Sequence, residues 1–451
     1  MIFHKFKSKV VSHLSYMIGS GGEAFVVDPM RDCRVYVDTA LREGLNIKYI
    51  FETHRNEDYI IGSKELAEMT GAEIYHGVWP EFEYGSPVGD GQGFMVGKLG
   101  LTVIHTPGHT PGCISIAVAD KTTGDEIVLV CTGDTLFIGD TGRTDFGGPS
   151  VRREWSESLY NSIFSKLLPL GDHVIICPAH GSGSVCGGMI ADREMSTLGL
   201  ERRMNTYLLM THDEFVKTKV EEHHEYAPYF SMMEKYNIAG APPVGCGPNP
   251  PVLSPHEFKA KLEEGAVIID TRPPPAFGAG HIAGSYNLYL SRIGMAGWVL
   301  PYEKQVIFVI GDQTHLDYIS RSLMRLGYDN QAGYLGGTIV SWYKEGFPIE
   351  TLDLVTVSEL KENLKHDWVV LDVRSKEEYE NGHIEGSLNI YIGNLGKNLD
   401  KVPRDKHIAV ICKTGTRSSF GSSILQRAGF KNLHNVLGGM STWKKLDYST
   451  V

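Results

Sequence analysis

Four short segments of the chain close apolar runs with residues that can hold a metal ion. They are Thr53-His54-Arg55-Asn56-Glu57-Asp58-Tyr59 after Tyr49–Glu52, and Thr106-Pro107-Gly108-His109-Thr110 after Leu101–His105. The others are Thr132-Gly133-Asp134 after Ile127–Val130, and Pro178-Ala179-His180-Gly181 after Val174–Ile176. Imidazole nitrogens and carboxylate oxygens are the usual donors to first-row metals. A fifth segment implies nucleophilic sulfur chemistry. Ile408–Ile411 reads as a strand, Cys412-Lys413-Thr414-Gly415-Thr416-Arg417 as a loop, and the residues after it as an amphipathic helix. Such a loop turns successive backbone N–H groups into one concavity at a helix N-terminus, where an anion is favoured. That field, with Arg417 and Lys413, favours the thiolate of Cys412 and an anionic sulfur donor such as thiosulfate. Cys412 and Arg417 are therefore the candidate catalytic pair, and Lys413, Thr414, Gly415 and Thr416 the candidate anion cradle.

These loops need strands to position them. Over the first 240 or so residues, β-type runs (Ala24–Asp28, Tyr49–Thr53, Leu101–His105, Ile127–Thr132, Val174–Cys177) alternate with amphipathic helical stretches. Strand ends in α/β folds converge on one rim, so four loops can surround one cavity. Pro and Gly cluster over Ala239–Pro255, where neither helix nor strand persists. Beyond it the chain repeats. Asp270-Thr271-Arg272, Phe277, His281-Ile282, Gly284-Ser285 and Asn287 recur as Asp372-Val373-Arg374, Tyr379, His383-Ile384, Gly386-Ser387 and Asn389, at a constant offset of 102. Leu335-Gly336-Gly337 recurs as Leu437-Gly438-Gly439 at the same offset. Two copies of this length are whole α/β domains, not solenoid repeats. The expected domains are 1–240, 252–352 and 355–451. Copy one carries Ile310 where copy two has Cys412, and His315 where it has Arg417; no cysteine lies between Cys246 and Cys412. Copy one cannot hold a persulfide by this chemistry.

Composition bounds the partners. With 42% hydrophobic and 22% charged residues the chain reads as globular. Its net charge of −11 argues against nucleic acid or an anionic membrane as the main partner. No apolar run reaches about 18 residues, and no secretory leader is recognisable, so no membrane span is expected. Seven scattered cysteines are not a disulfide framework, and a reducing cytoplasmic location is expected.

The N-terminal set resembles the metallo-β-lactamase superfamily over roughly residues 1–230. His54, His109, Asp134 and His180 match its metal-binding positions, and the resemblance implies an αββα sandwich. Asn56 and Tyr59 stand where the pattern has histidines, one in each half of the dinuclear zinc site. What is left, His54, His109 and Asp134, is the two-histidine, one-carboxylate set of non-haem Fe(II) oxygenases. The resemblance is to the persulfide (sulfur) dioxygenases of that superfamily, which also share the stretch Gly133-Asp134 to Gly142-Arg143-Thr144-Asp145-Phe146. It implies one Fe(II) per chain, with zinc as the alternative, and a low-molecular-weight thiol persulfide of the glutathione persulfide type and dioxygen as substrates, with sulfite as product. Asn56, Asp58, Tyr59 and His180 then orient the triad or belong to a second metal. Arg143 contacts substrate or pairs with Asp140 or Asp145. Cys186 relays sulfur or packs as a small hydrophobe.

The C-terminal copies resemble rhodaneses, central parallel sheets included, copy one being an inactive version. Together the parts resemble dioxygenase–rhodanese fusions of sulfide detoxification, in which Cys412 exchanges sulfane sulfur with sulfite or thiosulfate in a direction left open. A dimeric or tetrameric homo-oligomer is expected. The alternatives are a dinuclear zinc thioester hydrolase of glyoxalase II type fused to a sulfurtransferase, and a non-catalytic sulfur carrier.

Overall fold

Period-two alternation along single strands sorts the first 247 residues into layers. The computed structural model describes residues 1–79, 81–364 and 366–451. Strand His13–Ser20 is buried at every position, as a strand covered on both faces must be. Leu14, Tyr16 and Ile18 point into one apolar cluster, while Met17 points into another. In Glu23–Val27, Phe25 and Val27 join the first cluster and Ala24 and Val26 the second. The opposing strand Ile127–Gly133 repeats the device: Leu129 and Cys131 join the shared cluster, and Val130 a third one. Three stacked cores mean four layers, helix–sheet–sheet–helix. Helices Arg34–Glu43 and Ser63–Thr70 cover one sheet through Tyr36, Ala40 and Leu66. Helices Arg152–Asn161 and His212–Glu221 cover the other through Leu159, Phe215 and Val216.

Each sheet has six strands. In the first, spatial order equals chain order: Ile2–Ser8, His13–Ser20, Glu23–Val27, Asn46–Glu52, Glu73–His76, Ser86–Pro87. The second runs in reverse chain order from Ser196–Thr197 through Ile175–Pro178, Ile127–Gly133, Ile114–Asp120 and Leu99–His105 to Gly93–Val96. The metal-type residues follow four of these strands, at Glu52, His105, Gly133 and Pro178. Backbone bonds tie the loops together: Ile114 N–H donates to Thr53 O at 2.8 Å, and Ala179 N–H to Gly133 O at 3.0 Å. Gly133 has φ 52°, and a Cβ there would lie 2.6 Å from Thr53 Cβ, so only glycine fits.

Glu52, the last residue before the first loop, is completely buried and accepts the Tyr84 hydroxyl at 2.9 Å. Burial pushes its carboxyl up to about 8 from an ordinary 4.5. The folded chain therefore keeps a proton that the unfolded chain has lost, and stability falls as pH rises between those two values. A Glu52→Gln variant, always neutral, is expected to lack that slope. Its stability relative to wild type should rise from about pH 5 to about pH 8 in denaturant unfolding; a pH-independent difference would show that Glu52 is ionised in the fold.

The second unit comprises Pro248–Met324 and Tyr328–Val451. Its two five-stranded sheets share one topology and are parallel throughout. In spatial order the first has Val252–Leu253, Gln331–Leu335, Val306–Val309, Val267–Asp270 and Tyr286–Asn287. The second has Asp353–Val355, Leu433–Val436, His407–Ile411, Trp368–Asp372 and Leu388–Asn389. The repeated residues prove to be braces. Arg272 folds back on Asp270 and Arg374 on Asp372, with Nη2–Oδ2 distances of 2.5 and 2.6 Å. His281 stacks on Phe277 and His383 on Tyr379, at 3.8 and 3.6 Å between ring centroids. Among the described residues, no helix is long and apolar enough to cross a membrane.

Candidate functional site

Asp28 builds the floor under the first loop. Its carboxylate accepts Thr53 N–H at 2.8 Å and Thr53 Oγ1 at 2.7 Å, locking the strand end from which His54 projects. His109 donates Nδ1–H to the Arg143 carbonyl at 2.9 Å, which leaves Nε2 with its lone pair toward the site. Asp134 follows the glycine bend at Gly133. Its Oδ2 lies 3.7 Å from His54 Nε2 and 3.6 Å from His109 Nε2. All three side chains are buried, and these three atoms have no hydrogen-bond partner. Orphaned buried nitrogens and oxygens facing one point fit a cation there. The structure thus brings together His54, His109 and Asp134.

A second cluster lies beside the first. His180 is held between two carboxylates, with Nδ1 2.7 Å from Asp134 Oδ1 and Nε2 3.0 Å from Asp58 Oδ2. Burial opposes the charge, but the two aspartates prevail and raise the pKa of His180 well above its ordinary value. Cys186 Sγ also lies within 4.8 Å of the Asp58 and His180 donor atoms. Burial, with Asp58 and Asp134, pushes its thiol well up. Tyr59 fills the place beside them; its ring stacks on His13 at 3.7 Å and meets the His180 ring edge-on at 5.6 Å. Asn56 turns back, its amide donating to His54 O at 3.3 Å.

Arg143 differs from its substrate-contact expectation and matches the ion-pair alternative. It is 1% exposed, and its Nε and Nη2 each donate to Asp145 at 2.7 Å. Nη1 donates to Val185 O at 3.1 Å, and the guanidinium lies 4.5 Å from the Phe146 ring centre. The arginine that does line the adjoining cavity of about 350 Å³ is Arg55, with Glu57, Trp79, Phe146, Trp155 and Tyr226. Arg55 pairs with Glu234 on the same wall. Sequence reasoning missed both Arg55 and Glu57. Glu57 Oε2 lies 3.5 Å from His109 Nε2 and 3.8 Å from His54 Nε2. The only signal for either was position inside the His54 loop.

In the last domain Cys412 follows the central strand His407–Ile411 and is 1% exposed. Its sulfur accepts Gly415 N–H at 3.1 Å and the Ser418 hydroxyl at 3.5 Å. Gly439 lets a second loop close over the first: a Cβ there would meet Cys412 O at 2.2 Å. Thr416 opens the helix Thr416–Arg427, while Lys413 and Thr414 are exposed on the loop. Arg417 is engaged bidentately with Glu378, at 2.5 and 2.7 Å. That pair is neutral as a unit, so the positive field at Cys412 is weaker than the loop alone implies. A further cation comes from copy one. Arg292, whose Nε is buried without a hydrogen-bond partner, interacts electrostatically with Arg417, Cys412 and Glu378. Copy one is held there by Asn287, whose Oδ1 accepts Ser419 Oγ at 2.5 Å, and by Trp298, 5.2 Å from the Tyr391 ring. Its own loop offers Ile310, buried, and Asp312, which caps Thr314 N–H at 2.9 Å.

The metallo-beta-lactamase superfamily profile matches residues 9–180, and the rhodanese-like domain profile matches 254–345 and 356–446. The bovine (Bos taurus) mitochondrial persulfide dioxygenase ETHE1 is 29% identical over 207 residues, 45% of this chain and 74% of its own length. Hydroxyacylglutathione hydrolase GloC of Haemophilus influenzae is 30% identical over 207 residues, 41% of this chain and 87% of its own. A solved metallo-beta-lactamase structure from Staphylococcus aureus superposes with a TM-score of 0.66 at 30% identity, covering 74% of this chain and 98% of that one. The chain therefore belongs to the metallo-β-lactamase superfamily, is homologous to the persulfide dioxygenase ETHE1 over that part, and carries two rhodanese-like domains behind it.

Proposed function

We propose that residues 1–240 form a mononuclear non-haem Fe(II) dioxygenase that oxidises a low-molecular-weight thiol persulfide, such as glutathione persulfide, to sulfite. Residues 252–352 are an inactive rhodanese-like domain, and 355–451 a sulfurtransferase using Cys412. The observation that carries this reading is the contrast between the two half-sites. One has two imidazoles and a carboxylate with unpartnered atoms facing a common point. The other has Tyr59 in place of an imidazole and Cys186 beside it, and His180 is bonded through Nδ1 to Asp134, although His180 Nε2 and both Asp58 oxygens are unpartnered there too.

When bound, Fe(II) at the triad supplies open positions at which dioxygen and a substrate sulfur meet. The chain's own part is positional. The Arg143 carbonyl and Thr53 Oγ1 hold the two imidazoles, and His180 holds Asp134. The aromatic side chains of Trp79, Phe146, Trp155 and Tyr226 line the approach. Arg55 offers a guanidinium to a substrate carboxylate. At the other site, Gly415 N–H and Ser418 Oγ–H stabilise negative charge on the Cys412 sulfur, which takes a sulfane sulfur and passes it to sulfite or another acceptor.

A second reading, a dinuclear zinc thioester hydrolase, draws support from the identity to hydroxyacylglutathione hydrolase GloC. Anaerobic purification followed by metal analysis, with oxygen uptake on glutathione persulfide, separates the two. The expected result is about one iron per chain and persulfide-dependent uptake. Two zincs, no uptake and hydrolysis of S-lactoylglutathione would replace the proposal with the hydrolase.

A further inference from the structure

Glu57 is the one residue at the triad for which the reading above has no use. Its Oε2 stands 3.5 Å from His109 Nε2 and 3.8 Å from His54 Nε2. Asp134 Oδ2 stands 3.6 and 3.7 Å from the same two nitrogens. Adjacent donors about 2.1 Å from a six-coordinate ion are about 3.0 Å apart, so these four separations close by about half an ångström or more, and Glu57 lies outside the mutually close donor set of His54, His109 and Asp134. The flexible Glu57 side chain can supply that movement. It is also an orphan. Glu57 Oε2 is buried and lacks a hydrogen-bond partner, as do His54 Nε2, His109 Nε2 and Asp134 Oδ2. Two carboxylates facing one pocket repel each other unless a cation stands between them. Asn56, the neighbour at the position where an imidazole was expected, donates its Nδ2–H to His54 O, and its Oδ1 is buried without a partner.

We propose that Glu57 is a fourth protein donor to the ion held by His54, His109 and Asp134. The proposal rests on the metal reading of that triad. A six-coordinate ion with four protein donors keeps two exchangeable positions instead of three, and the added carboxylate makes the site harder, away from thiophilic ions. The ion is then fastened to the wall of the substrate cavity, because Glu57 belongs to both.

Titration of the metal-stripped full chain with Co²⁺, read from its visible d–d bands, tests this. Wild type is expected to take about one Co²⁺ with no thiolate charge-transfer band, which would instead report Cys186. Glu57→Ala and Glu57→Gln should bind about 100-fold more weakly or worse, beyond what groups that merely orient a ligand contribute. Their bands should shift, and Glu57→Asp should recover part of the affinity. Equal unfolding midpoints of the metal-free proteins would show that the loss is not misfolding. An unchanged spectrum in Glu57→Ala, at whatever affinity, would overturn the proposal and leave the triad standing. If wild type takes no Co²⁺, or His54→Ala binds it like wild type, the metal reading itself fails, a result distinct from failure of Glu57 alone.

Discussion

A Cys412→Ser chain is expected to lose sulfur transfer from thiosulfate to cyanide down to the uncatalysed level, while persulfide-dependent oxygen uptake stays at the wild-type rate. The sulfur atom is the chemistry here: a hydroxyl at neutral pH is neither nucleophilic enough to take a sulfane sulfur nor able to carry it as a hydropersulfide. The surroundings should barely notice the exchange. Cys412 is 1% exposed, and its contacts are an N–H and a hydroxyl that an oxygen can also accept, from Gly415 at 3.1 Å and Ser418 at 3.5 Å. The loop is held mainly by backbone, with Met440 N–H donating to Cys412 O at 2.8 Å and Ser441 N–H to Lys413 O at 2.9 Å. A fold change is therefore not the expected cause of the loss. Measuring both activities on the same preparation is the check. Loss of both together would mean that the Cys412 loop takes part in the oxygenase reaction, contrary to two separate chemistries. Retention of sulfur transfer would move the nucleophile elsewhere.

The parts of this site that local chemistry dictates are legible in the sequence. His54, His109, Asp134 and His180 each follow an apolar run that becomes a strand, and a strand end is a place that tertiary structure uses predictably. The 102-residue repeat is equally readable, since one side chain cannot replace another in the Asp–Arg brace or the His-on-aromatic stack. What escapes is whatever depends on which way a side chain turns. Glu57 is a type that mostly faces water, and nothing in His54-Arg-Asn-Glu-Asp says that its carboxylate comes within 3.5 Å of His109 Nε2. Arg143 shows the same limit from the other side. A buried guanidinium has several donors to satisfy, and Asp145, two residues away, takes two of them before any substrate can. Arg292 is out of reach of local reading altogether, because copy one brings it to a loop some 120 residues further on. Copy one thus loses its cysteine yet keeps the surface that meets the helix after Cys412, through Asn287, Ser419 and Ser423.

Asp134→Asn is expected to cost the first unit both its iron and its oxygen uptake, by more than the roughly 100-fold that outer partners of a metal ligand contribute. The substitution preserves shape and removes charge, which isolates the electrostatic role. Asp134 is fully buried, and burial alone would favour the neutral acid. His180, His54 and His109 outweigh that cost and hold the carboxyl well below the usual carboxylate range, so it is an anion at any working pH. One oxygen accepts from His180 at 2.7 Å, and the other faces the two Nε2 atoms at 3.6 and 3.7 Å. An amide can keep one of these relations but cannot offset a divalent charge. The same depressed pKa carries a sign that opposes Glu52. In the metal-free chain the Asp134 contribution is complete above the ordinary aspartate value of 3.8 and fades as pH falls below it toward the folded value. Metal-free Asp134→Asn should therefore lose less stability on acidification than metal-free wild type, while Glu52→Gln alters the slope between about pH 5 and about pH 8. Iron content, oxygen uptake and acid unfolding of the one variant read three consequences of a single charge. Retained iron with retained uptake would remove Asp134 from the centre, and with it the two-histidine, one-carboxylate basis for an oxygenase.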